Sequence, residues 1–160
     1  MAASLSGPVR VPLDFRPGSA RPRSMRALLA LATTLPWAVS VACAAPCTAP
    51  APIVFARGAT AAEETGGVPP RLPECWVLRA RAGQHLSARV ESPEENVVLQ
   101  IYRPGWTIQQ GAPAGQALPG AAEGQDATAV SERLPETGVY LVVLGTTRGG
   151  GEYHLRVEVR

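Results

Sequence analysis

The chain has no lysine. All fifteen basic residues are arginine, a pattern that reflects codon composition rather than a function. Only two histidines are present, aromatics make up 5%, and there are three cysteines. Glycine and proline, by contrast, number 16 each in 160 residues. Few aromatics with many turn formers favour short strands over long helices. No continuous apolar run is long enough to cross a bilayer comfortably; the longest, residues 27–41, has the length of a signal-peptide core. A basic face of one sign is also missing. Five arginines precede residue 45 against the single acid Asp14, but residues 45–160 carry ten arginines and twelve acids, mixed along the chain. Nucleic acid is therefore not a partner, since its backbone demands a one-signed cationic surface.

The amino terminus reads as an address. Residues 1–24 are rich in Pro, Arg and Ser without apolar periodicity, and are either disordered or a misassigned start ahead of Met25. Residues 25–44 have a charged start at Arg26, an apolar core, and the small residues Ala42 and Ala44 around a cleavage point after Ala44. Pro36 in the middle argues against a buried helix. A second reading of the same segment is a lipoprotein signal: "SVAC" at 40–43 sets a small residue before Cys43, which would then carry the acyl chains. The expected location is periplasmic or secreted, with a membrane involved only through a lipid on Cys43.

Export leaves Cys47 and Cys75 in an oxidising space, where they are expected to pair. The loop closed would be about 28 residues, worth roughly 3 kcal/mol in the chain-entropy account. Neither histidine lies at ligand spacing from these cysteines, so no metal site is expected. No cofactor is implied either.

Past a Pro-rich lead (45–51), residues 52–160 read as one domain of seven to eight short strands, an antiparallel jelly-roll-like β-sandwich. "PIVFARGAT" (52–60) alternates and reads as a first strand. Residues 61–74 read mostly as loop, with one short strand near Glu64. In "CWVLRARAGQHLSARVES" (75–92) two period-2 runs flank a glycine turn, the signature of a hairpin. That register sets Ala80 opposite Leu86, Leu78 opposite Ala88 and Trp76 opposite Val90. It places Arg79, Arg81 and Arg89 together on one outer face. "NVVLQIYRPG" (96–105) is a strand stopped by Pro104-Gly105. Residues 106–126 form a long Gly/Ala/Pro/Gln insertion with little to bury. "ATAVSERL" (127–134) is a strand, and "VYLVVLGTT" (139–147) is apolar enough to be central and covered on both sides. "EYHLRVEVR" (152–160) alternates, with Tyr153, Leu155, Val157 and Val159 inward.

In that order, "VLRARAGQHLSARVES", "NVVLQIYRPG", "LPETGVYLVVL" and "EYHLRVEV" resemble bacterial pre-peptidase C-terminal domains. Within that group they look most like the periplasmic inhibitors of goose-type lysozyme. The resemblance spans about residues 52–160. It rests on Phe55-Ala56-Arg57-Gly58, on Ala80-Arg81-Ala82-Gly83-Gln84, and on Leu134-Pro135-Glu136-Thr137-Gly138-Val139-Tyr140. It implies a sandwich in which Gly83 and Gly138 serve tight turns and Tyr140 is structural. It also implies a non-catalytic activity: loops presented to a lysozyme cleft, with arginine meeting acidic residues there. These motifs specify a fold better than an activity.

A catalytic reading has little to stand on. His85 and His154 both fall at outward strand positions, and a triad needs nucleophile, base and orienting acid together. Glu63-Glu64 and Glu94-Glu95 read as solvated pairs. Gly149-Gly150-Gly151 opens no helix and so cradles no phosphate. The features suited to binding are Trp106, Arg148 at a loop tip, and Arg79, Arg81 and Arg89. Trp106 is either exposed at one end of the sandwich or packed over its edge. The three arginines are either a docking patch or a solvated face balanced by Glu91. The expected partner is a protein, a lysozyme among the candidates, or an envelope saccharide.

Overall fold

Each long strand of this protein lies in the opposite sheet from the one before it. The structure, a computed structural model, describes residues 47–160. The leader, the lipidation position Cys43 and residues 1–24 lie outside the described residues. Ten strands are present among the described residues: β1 (Ala51–Pro52), β2 (Ala61–Val68), β3 (Glu74–Ala80), β4 (His85–Glu91), β5 (Val97–Tyr102), β6 (Thr107–Gln109), β7 (Ala112–Ala114), β8 (Ala129–Arg133), β9 (Gly138–Thr146) and β10 (Gly151–Val159). One sheet has the order β1-β3-β9-β5 and the other β2-β10-β4-β8, with β6-β7 a separate small ribbon. Apart from the short parallel β1-β3 contact, the pairings are antiparallel. The two sheets make the antiparallel β-sandwich expected from the sequence. The count exceeds seven to eight because β1 has two residues and the ribbon arises inside the 106–126 insertion.

The expected hairpin at 75–92 is not formed. β3 pairs with β9, and β4 pairs with β10 and β8. The turn between them is an arch from one sheet to the other. The residues chosen to face inward do so: Trp76, Leu78 and Ala80 on β3, and Leu86, Ala88 and Val90 on β4, are all buried in the same core. They meet across the gap between sheets, not across a ladder. Arg79 and Arg89 consequently lie on different sheets, and the shared outer face expected of Arg79, Arg81 and Arg89 does not exist.

Alternation explains the core. Tyr140, Val142 and Leu144 of β9 face the interior with Leu99 and Ile101 of β5 and Leu155 and Val157 of β10. β9 is central, and its other face is also covered. Leu141 and Val143 pack in a second cluster with Tyr102, Cys47 and Cys75, and Val77, Trp106, Ile108 and Ala117 lie over them. The Cys47–Cys75 disulfide, 28 residues apart in sequence, forms part of that cover.

Three other expectations shift. Residues 53–60 form no strand; Ile53 is buried, and its N–H donates to Val77 O at 2.9 Å. Residues 61–68, read mostly as loop, form the eight-residue edge strand β2 against β10. The insertion also buries more than its composition suggests, since Leu118 and Ala121 are both fully buried. Its backbone runs beside β5, with Leu118 N–H donating to Ile101 O at 2.7 Å and Arg103 N–H to Gln116 O at 2.8 Å. It thereby closes an otherwise open sheet edge.

Candidate binding rim

The strand registers put two sets of connections at opposite ends of the sandwich. At one end lie the β2–β3 connection (69–73), the β4–β5 connection (92–96) and the β9–β10 connection (147–150). At the other lie the β3–β4 arch (81–84), the β8–β9 corner (134–137) and the start of the insertion after β5.

Arg148 stands exposed at the tip of the β9–β10 connection. Its guanidinium donates to Glu94 O at 3.0 Å, so the tip leans on the β4–β5 connection. Beside it, Pro70, Arg71, Thr146, Thr147, Arg148 and Gly149 line an open depression of about 670 Å³. Arg71 is exposed and has a left-handed backbone, φ 64°. Asn96, only 3% exposed, lies underneath. Its Nδ2 donates to Arg148 O at 2.8 Å and to Gly150 O at 2.9 Å.

The second depression, about 380 Å³, is lined by Arg79, Ala80, Arg81, Gln84, Thr137 and Gly138. Thr137 Oγ1 accepts from Ala82 N–H at 2.9 Å and Gln84 Oε1 from Arg81 N–H at 2.7 Å, which ties the arch to the corner.

The cations differ by location. On the open face of the second sheet, Arg89 pairs with Glu91 at 2.9 Å, Arg156 with Glu63, and Arg160 with Glu158 at 2.5 Å. Arg103 near the insertion pairs with Glu136 at 2.7 Å. Arg71, Arg148, Arg79 and Arg81, which border the two depressions, form no ion pair among the described residues. A cation satisfied by a neighbouring carboxylate has little left for a partner, so the unpaired arginines mark the two ends. Arg89 thus behaves as part of a balanced, solvated face, while Arg79 and Arg81 remain together.

Trp106 is half-buried. Its indole N–H donates to Val139 O at 3.0 Å, and its ring packs over the second cluster. It anchors the insertion and is not a free aromatic at an end.

The histidines do not converge. His85 aligns with Arg133 and Arg160, whereas His154 aligns with Glu91, about six residues along the sheet and ~20 Å away. His85 Nε2 sits 3.5 Å from Ser131 Oγ in full exposure, and His154 Nε2 sits 3.4 Å from Glu63. Among the described residues no group of three His, Cys, Asp or Glu could hold a metal.

Under the rim lies a second buried polar side chain, Glu74, 2% exposed. Tyr153 accepts from Trp76 Nε1–H at 3.2 Å and is hydrogen-bonded to Glu74. Burial, and then the charge of Glu74, push the Tyr153 phenol far above its usual range. Burial, and then Glu74, also raise Glu64 on β2.

Sequence reasoning missed Arg71 and Asn96. Arg71 lies in a Pro-rich connection, and Asn96 looks like an ordinary polar residue before a strand. Neither carries a local pattern, because their roles come from contacts with distant residues.

The fold is shared with a solved inhibitor of lysozyme. The structure of Aeromonas hydrophila PliG, a periplasmic lysozyme inhibitor of g-type lysozyme, superposes with a TM-score of 0.55 at 22% identity. The match covers 69% of this chain and 95% of that one. PliG of Salmonella Typhimurium aligns at 16% identity with a TM-score of 0.49, covering 68% and 96%. A mutant of PliG from Escherichia coli aligns at 17% with 0.48, covering 69% and 96%. No family model and no curated protein matches the chain. At these identities the likeness to the Aeromonas protein concerns the fold alone.

Proposed function

We propose that this chain is an exported, non-catalytic binding protein that blocks a g-type lysozyme with the loops of the Arg148 end. The observation that carries the reading is Arg148 itself, an exposed guanidinium without an acid partner on a loop tied down from beneath. The shared fold with a periplasmic inhibitor supports it. A fixed cation at a loop tip suits an acidic cleft, where charge attraction speeds encounter and an arginine buried on binding anchors the contact. Arg71 across the depression adds a second cation to the same rim. The signal read at residues 25–44 would place the protein in the periplasm, or on a membrane if Cys43 is acylated. Kinship with the broader pre-peptidase C-terminal sandwiches rests on the sequence motifs.

The purified protein should slow a g-type lysozyme at stoichiometric ratio. Arg148→Ala should weaken the complex by about 30-fold, the loss of one interface anchor, while the melting temperature stays unchanged. Absence of any effect on several lysozymes would remove the reading. A pull-down that recovers an envelope saccharide or another envelope protein, with lysozyme ignored, would replace it with an accessory module.

A further inference from the structure

The β9–β10 connection ends in Gly149 and Gly150, and Gly151 opens β10 directly after them. Three glycines should sample many conformations, since nothing at Cβ restricts them. Thr146 Oγ1 donates to Gly149 O at 2.7 Å within the loop, but the side chain that ties the loop to the buried body beneath it is Asn96. Asn96 Nδ2 carries two hydrogens, and both are spent on carbonyls 52 and 54 residues away, Arg148 O and Gly150 O. Its Oδ1 accepts from Ser92 Oγ at 3.2 Å, which orients the amide. Its backbone O accepts from Thr147 N–H at 2.9 Å. Space is as tight as the bonding: a Cβ on Gly151 would fall 2.5 Å from Asn96 Oδ1 and 3.0 Å from Val97 Cγ2. The Arg148 side chain then closes the circuit onto Glu94 O. Residues 92–96 and 147–151 therefore behave as one body, with the buried amide at its centre.

We propose that Asn96 is the positioning residue of the rim: it freezes the glycine loop and thereby aims Arg148. A frozen loop meets its partner without paying to order itself, so affinity comes from preorganisation as well as from the guanidinium. The use assigned to this aim rests on the function proposed above; the freezing itself does not.

The test uses Asn96→Asp, which keeps the size but replaces two donors with oxygen lone pairs facing two carbonyls. Ser92→Ala removes the orienting bond, together with the hydroxyl's contact to Glu94 Oε2 at 3.3 Å, and leaves both Asn96 donors in place. The first readout is backbone order by nitrogen-15 relaxation on the whole protein. In Asn96→Asp the order parameters of 147–150 should fall from a rigid ~0.85 to below ~0.6, while the centres of β9 and β10 stay rigid. Ser92→Ala should give a smaller drop in the same residues, and it decides the matter by this readout if Asn96→Asp does not fold. The second readout is a double-mutant cycle against g-type lysozyme. Arg148→Ala should cost about 30-fold in the parent but only about 3-fold beside Asn96→Asp, because an unaimed guanidinium has less to lose. A loop that stays rigid, or losses that simply multiply, would overturn the proposal. If the parent does not bind lysozyme, the proposed function fails, and relaxation alone decides the role of Asn96.

Discussion

Tyr140 shows how one side chain fixes a corner. It is fully buried, and its hydroxyl donates to Glu136 O at 2.7 Å while accepting from Glu136 N–H at 3.2 Å. This is the tyrosine corner of β-sandwiches, a ring in the core with its hydroxyl returned to the backbone just upstream. Tyr140→Phe keeps the ring and leaves a carbonyl and an amide short of a partner. It should cost about 1–2 kcal/mol in urea unfolding. The structural role of Tyr140 was legible in "LPETGVY"; its hydrogen-bond partner was not. Gly138 in the same motif is present for a reason other than the turn expected of it. It has no left-handed backbone, but a Cβ there would fall 2.7 Å from Pro104 Cγ, so the position has no room for a side chain.

At the level of elements, period-2 alternation revealed which side of each strand is buried and concealed which strand is its neighbour. A hairpin and an inter-sheet arch both need two alternating runs and a glycine turn. They differ only in what lies beside each strand, and that is settled by β8, β9 and β10, all distant in sequence. The edge strand β2 was hidden for another reason. Its inward positions include Glu64 and Gly66 where an apolar pattern would have signalled a strand, because they lie against Tyr153 and near Glu74. The insertion was hidden by dilution, its two buried anchors being isolated among Gly, Pro and Gln. Leu118→Ala should remove about 2–4 kcal/mol in thermal or urea unfolding, since the side chain is completely enclosed. Hydrogen exchange should also quicken at the Leu118 amide, which is bonded to Ile101.

For the whole molecule, the two ends are built differently. Beneath the Arg148 rim the core is capped by polar groups, Asn96 on one side and Glu74 with Tyr153 and Trp76 on the other. The rim was legible only as Arg148, a cation in a glycine turn. Asn96 and Arg71 gain their meaning from the meeting of three connections, which no local window contains. The polar cap also makes a pH dependence. Glu64 holds its proton to higher pH in the folded chain than its ordinary 4.5 because of burial and the nearby Glu74 charge. The groups facing it there are Glu74 and Tyr153. In the window just above about pH 4.5 the folded state binds more protons than the unfolded one. This contribution to stability is therefore full below that pH and is lost as pH rises through the raised value. Glu64→Gln should flatten the fall in melting temperature as pH rises above about 4.5, raising it at the upper end; an unchanged slope would discount the carboxyl.

Because successive long strands never pair with each other, this chain has no early zipper. Apart from the small β6-β7 ribbon, each ladder joins segments well apart in sequence, so loop-closure entropy is spent before the main pairings repay it. The newly made polypeptide must find its way slowly, over milliseconds to seconds, rather than snapping shut in microseconds as a helical bundle would. Throughout that interval the greasy central segment of β9 lies bare, in want of its two distant neighbours.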